Sequence, residues 1–151
     1  MSALTLERLQ PLIPEMIQWV NAGYPNEACG MILEKAGALS VLCCENLQDR
    51  LHRLDSERYP RTAATAYSLE PLLLYQATQN GAEVRAIFHS HPERGAYLSD
   101  EDVLGALGGD PSGEPLLPGT DYIVLSARMD GVDDVKLFSW DPAVRQFVGR
   151  C

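Results

Sequence analysis

The segment from Val84 to Leu107 constrains this chain more than any other. Val84-Arg85-Ala86-Ile87-Phe88 is apolar and β-branched, with Gly81 just upstream, and it predicts a buried strand. The run leads directly into His89-Ser90-His91-Pro92. Strand residues i and i+2 face the same side, so His89 and His91 project together from the C-terminal end of that strand. Pro92 donates no ladder hydrogen bond and suits a strand end. Glu93 to Leu98, with Gly95, predict a loop. Ser99 to Leu107 predicts a helix, with Ser99 as N-cap and Asp100, Glu101 and Asp102 favoured in the first turn by the helix dipole. The loop can fold the helix start back over the strand end, and Asp102 then meets the two histidines.

The resulting pattern is H-x-H-x7-S-x2-D. Two imidazoles and one carboxylate form a three-ligand set for a catalytic zinc with one position left open. The chain has three histidines, and two of them fall in this motif. A plainer reading exists for each residue. Ser-x-x-Asp resembles a capping box, and strand-end histidines can simply line a polar pocket. The capping and catalytic roles are compatible, because a helix start can hold both side chains rigidly.

At this spacing the segment resembles the motif of the JAMM (MPN+) zinc metalloproteases, in particular the small prokaryotic single-domain type. That family carries an upstream glutamate, and Tyr24-Pro25-Asn26-Glu27-Ala28-Cys29-Gly30-Met31-Ile32-Leu33 supplies one in a similar context. The resemblance covers about residues 4 to 140. It implies that His89, His91 and Asp102 hold one zinc per chain, with water as fourth ligand. It implies that Glu27 is the general base and acid, and that Ser99 steadies the oxyanion. It implies a mixed central β-sheet flanked by helices, an α/β fold with a cytidine-deaminase-like core. A deaminase itself is disfavoured, because the P-C-x-x-C zinc half is missing. The implied substrate is a ubiquitin-like, β-grasp protein of the sulfur-carrier type, cut at a peptide or isopeptide bond at its C-terminus. Two alternatives stay open: a non-catalytic MPN-type scaffold and a zinc hydrolase of small amides.

Elsewhere the chain reads as one α/β domain spanning residues 1–151. Leu4 to Leu6 predict a short edge strand. Leu9, Leu12, Ile13, Met16, Ile17 and Val20 recur at helical spacing up to about Asn21, with Pro11 and Pro14 restricting the opening turns. Ala28 to Leu33 and Ala38 to Cys44 predict a hairpin around Gly37. Asn46 to Ala66 reads as an irregular polar loop, with His52 as a solvated residue in it. Glu70 to Asn80 predicts a helix with Leu73, Leu74 and Ala77 on one face. Gly108 to Gly119 predicts a mobile loop, and Asp121 to Ala127, Val135 to Trp140 and Val144 to Val148 predict strands.

Charge narrows the partners. Twelve basic against 21 acidic residues give −9, which argues against nonspecific nucleic-acid binding and against an anionic membrane surface. No apolar run reaches membrane-spanning length, and no signal-peptide pattern opens the sequence, so a cytosolic location is expected. Cys29, Cys43, Cys44 and Cys151 contain no C-x-x-C pair. The first three are expected to be buried thiols and Cys151 exposed. A thiol protease built on Cys29 is a weak reading, because nothing in the sequence pairs it with a histidine.

Overall fold

Alternation along the apolar runs divides one sheet into two faces. The computed structural model describes residues 2–151. Its strands are β1 (Cys29–Lys35), β2 (Ala38–Cys44), β3 (Glu83–Pro92), β4 (Asp121–Arg128), β5 (Gly131–Asp141) and β6 (Gln146–Arg150), in the order β2-β1-β3-β4-β5-β6. β3 and β4 pair in parallel, and the other neighbours are antiparallel. A parallel pair needs a crossover, and here the crossover carries the short helix α5 (Asp100–Ala106). A mixed sheet flanked by helices is the fold class expected from the sequence.

One face buries Ile32, Ala86, Phe88, Ile123, Leu125 and Leu137 against Leu9, Met16 and Val20. Those three come from α1 (Leu6–Leu9) and α2 (Ile13–Gly23). The opposite face carries Cys29 and Met31 of β1, packed with Tyr67, Leu69 and, from α4 (Pro71–Gln79), Leu73 and Leu74. Ile87, Tyr122 and Ala106 form a second apolar group on that side. Two facts fix β1 against β3. At Gly30 an added Cβ would lie 2.4 Å from the Phe88 ring and 2.5 Å from the Leu42 carbonyl oxygen, so only glycine lets that ring cover the strand. At the far end, buried Arg85 donates to both Glu34 carboxylate oxygens at 2.7 and 2.6 Å. Removing one partner of such a buried pair costs about 3–5 kcal/mol.

Several expectations need correction. Leu4 to Leu6 is not a strand: Leu4 is buried in the core, while Thr5 caps α1 by accepting from the Arg8 N–H at 3.1 Å. The expected first helix is broken by a 3-10 turn over Gln10–Leu12, where Pro11 withholds its N–H. The polar segment 46–66 contains a helix, α3 (Gln48–Leu54), and His52 sits in it with Nδ1 2.8 Å from the Tyr59 carbonyl oxygen. Cys43 is only half-buried, because neighbours on a strand face opposite sides and Cys44 takes the inner one. β5 is longer than expected, and β6 starts two residues later. The hairpin forms as expected, with Ala36 and Gly37 both at positive φ, 52° and 80°. No helix among the described residues is long and apolar enough to cross a membrane.

Candidate metal centre

His89 and His91 stand on one side of β3, as the alternation predicts, and both are fully buried. Asp102 comes to them from the first turn of α5. Ser99 fixes that turn: its Oγ accepts from the Asp102 N–H at 3.1 Å, and its own N–H donates to Asp102 Oδ2 at 3.0 Å. The capping box therefore exists, and it aims the carboxylate at the histidines.

Three atoms converge. His89 Nε2 lies 3.1 Å from His91 Nε2, and Asp102 Oδ2 lies 3.1 and 3.0 Å from the two. His91 Nδ1 is 3.1 Å from the Gly95 carbonyl oxygen, which can only accept, so the proton is assigned to Nδ1 and Nε2 presents a lone pair. Burial pushes His89 towards its neutral form, against the pull of Asp102. Burial also pushes the Asp102 carboxyl up, but its hydrogen bonds with His89 and His91 outweigh this and hold it well below the usual carboxylate range. The triangle is thus rich in lone pairs and holds one N–H at most. Such a donor set fits a divalent cation, and nitrogen with carboxylate oxygen suits zinc.

The structure brings Glu27 to the same place. Cys29 pairs with His89 in antiparallel register, so continuing two residues sets Glu27 opposite His91. The Ser90 N–H donates to the Ala28 carbonyl at 3.0 Å, and Ser90 Oγ accepts from the Ala28 N–H at 2.8 Å, which locks this register. The Glu27 side chain is buried. Arg94 Nη2 donates to its Oε2, while Oε1 has no partner among the described residues. Burial pushes the Glu27 carboxyl up to about 8, against the pull of the Arg94 guanidinium.

Four contributors to the site escaped the sequence reading. Asn46 Nδ2 donates to the carbonyls of Glu27 and Ala66 at 2.9 and 3.0 Å, and its Oδ1 accepts from the N–H groups of Gln48 and Ser68. With the Glu27 N–H donating to Ala63 O at 2.7 Å, the 46–68 segment holds Glu27 by its backbone. Tyr67 stacks on His89, with ring centroids 4.4 Å apart. Arg94 reaches Glu27 because Glu93 and Gly95 turn the chain back at φ 61° and 90°. Ser90, between the histidines, is the fourth. Only Ser90 had a sequence signal, since alternation turns it away from the face that carries the two histidines. Cys29 lies across from His89, a pairing with no signal in the sequence. Its Sγ, however, donates to carbonyls at 3.8 Å, and burial pushes the thiol up to about 12, so it is inert.

This chain belongs to the family of prokaryotic homologs of the JAB domain, which it matches over residues 9–133. The matched span includes Glu27, His89, His91, Ser99 and Asp102. Among solved structures, protein DSY2949 from Desulfitobacterium hafniense is similar, with a TM-score of 0.61 and 22% identity over 99% of this chain and 90% of that one. A protein from Salinibacter ruber has a TM-score of 0.58 and 22% identity over 93% of this chain and 86% of its own. At that identity the likeness concerns fold alone. No curated protein matches the chain.

Glu27 makes the metal-free fold sensitive to pH. Its folded pKa of about 8 lies above the ordinary 4.5. The associated stability is fully present below pH 4.5 and is lost as pH rises towards 8, because only the unfolded chain then releases the proton freely. The span corresponds to on the order of 4 kcal/mol. Metal-free Glu27→Gln protein is therefore expected to gain melting temperature over the parent as pH rises from 5 to 8. A gap that stays constant across thermal scans at these pH values would contradict the burial argument.

Proposed function

We propose that the chain is a zinc-dependent metallopeptidase that hydrolyses a peptide or isopeptide bond at the C-terminus of a ubiquitin-like, β-grasp protein. The observation that carries this reading is the convergence of His89, His91 and Asp102 beside a buried carboxylate with one free oxygen. A scaffold gains nothing from that arrangement, because burying an unpaired carboxylate oxygen is unfavourable.

His89 Nε2, His91 Nε2 and Asp102 Oδ2 would hold the zinc. The chemistry supplied by a bound zinc is Lewis acidity, which acidifies water to a pKa near 7 and polarises a carbonyl. Glu27 takes the proton of the attacking water on its free oxygen and gives it to the leaving amine. Arg94 holds the other oxygen and keeps the carboxylate oriented. Ser99 Oγ accepts from the helix N–H, so its own O–H proton remains free to donate to the developing oxyanion, a contact worth a few kcal/mol. Tyr67, stacked on His89, packs against the face of that ring and helps to hold its orientation.

The substrate test is a panel of β-grasp proteins carrying C-terminal extensions or conjugates, incubated with zinc-loaded protein and read by intact mass. Trimming of at least one at the end of its tail is expected. A panel left wholly uncut by protein that retains its zinc contradicts the substrate assignment.

A further inference from the structure

The metal face of the sheet continues past the histidines. Ile87 is two residues before His89 and so lies on the same face. Its register partner on β4 is Tyr122, as Val124 is the partner of His89. Ile87 and Tyr122 form the floor of a cavity of about 340 Å³, walled by Leu69, Leu74, Ala106 and Leu117. Asp102 and Tyr67 border it as well, so the cavity opens beside a metal ligand. Two irregular segments complete it, because Arg61, Thr65 and Ala66 come from one, and Leu116 and Leu117 from the other.

We propose that this cavity is the specificity pocket of the site and takes one large apolar side chain, Leu, Met or Phe, from a residue flanking the scissile bond. The inference rests on the peptidase reading. Three features select that occupant. The volume lies at the small end of the ~300–1,000 Å³ range of ligand pockets, enough for a side chain and not for a folded surface. The lining is largely apolar, and its Asp102 is already engaged by His89 and His91, so a charged side chain inside would go unpaired. The charges at its mouth cancel, because Arg61 Nη2 and Glu101 Oε1 pair with each other at 2.7 Å. The pocket also shares Asp102 with the metal triangle, which places its occupant next to the bond to be cut.

The test uses zinc-loaded protein and acetylated peptides varied among Ala, Leu, Phe and Asp at each of the two positions flanking the cleaved bond. A hydrophobic pocket discriminates by roughly 10–200-fold, so kcat/KM for Leu or Phe is expected to exceed that for Ala by at least tenfold at one position. Gly105 lines the pocket, and an added Cβ there meets nothing within 4 Å, so Gly105→Leu is expected to fold. It should cut the Leu-to-Ala ratio about tenfold. Ala106→Leu, which fills the pocket from its buried wall, should do the same. Binding is read independently on zinc-loaded Glu27→Gln protein from NMR shifts of the Leu69, Ile87 and Leu117 methyl groups. Equal cleavage of Ala, Leu and Phe peptides with unmoved methyl groups would overturn the pocket and leave the peptidase standing. Methyl shifts selective for Leu and Phe peptides, with no peptide cut, would leave an apolar binding cavity and overturn its role beside a scissile bond. Neither cleavage nor shifts would overturn the pocket, and the β-grasp panel then decides the peptidase reading by itself.

Discussion

Zinc-loaded Glu27→Gln protein is expected to keep its metal and its fold and to lose about 100- to 10,000-fold in kcat. Glutamine has nearly the same shape and preserves the packing around a buried side chain. It cannot accept the proton of the attacking water. The contact is made as charge moves, so kcat should fall while KM stays close to the parent value. Steady-state kinetics on protein of verified zinc content decides the matter. Near-normal kcat in the glutamine variant would remove Glu27 from the proton path and leave its free oxygen unexplained.

The second large effect concerns Asp102, which does two things at once. Its Oδ2 faces both histidine Nε2 atoms and also accepts the Ser99 N–H. Asp102→Ala is expected to weaken zinc binding by more than the roughly 10–100-fold that loss of an outer-shell partner costs, and to bring turnover below detection. It should also cost about 1 kcal/mol of metal-free stability through the lost cap. Asp102→Asn separates the two roles. The amide oxygen can still accept from Ser99, so metal-free stability should stay near the parent value, while the missing charge still weakens zinc. Competition with a chromophoric chelator gives the affinity, and thermal unfolding gives the stability. Parent-like zinc affinity in the alanine variant would mean that Asp102 serves only as a cap.

The convergence of the histidines with Asp102 was legible in the sequence because period-two alternation and helix capping are local. His89, His91, Ser99 and Asp102 lie within one strand-loop-helix unit, and each has a local reason to point where it does. Glu27 was legible only through its resemblance to a family motif, since its position opposite His91 depends on a long-range register that Ser90 and Gly30 enforce. Asn46 and Arg94 had no local signal. Asn46 works by tying together segments about 20 residues apart, and Arg94 reaches Glu27 through a backbone reversal at a non-glycine residue. The helix over Gln48–Leu54 was hidden because Leu47 offers no side-chain cap and the charged residues mask its short apolar spacing. The apolar cavity was hidden for a related reason, since Arg61, Thr65, Ala66, Leu116 and Leu117, which complete its walls, come from segments without regular periodicity.

The proposed chemistry requires that His89, His91 and Asp102 hold one metal ion. Elemental analysis of the purified protein, run beside His89→Ala protein, tests it most directly. About one zinc per chain is expected in the parent, removable by chelator and restored by added zinc, and none in the variant. A parent protein that takes up no metal even when zinc is supplied would rule out the hydrolytic site and leave the triangle as a buried hydrogen-bonded cluster.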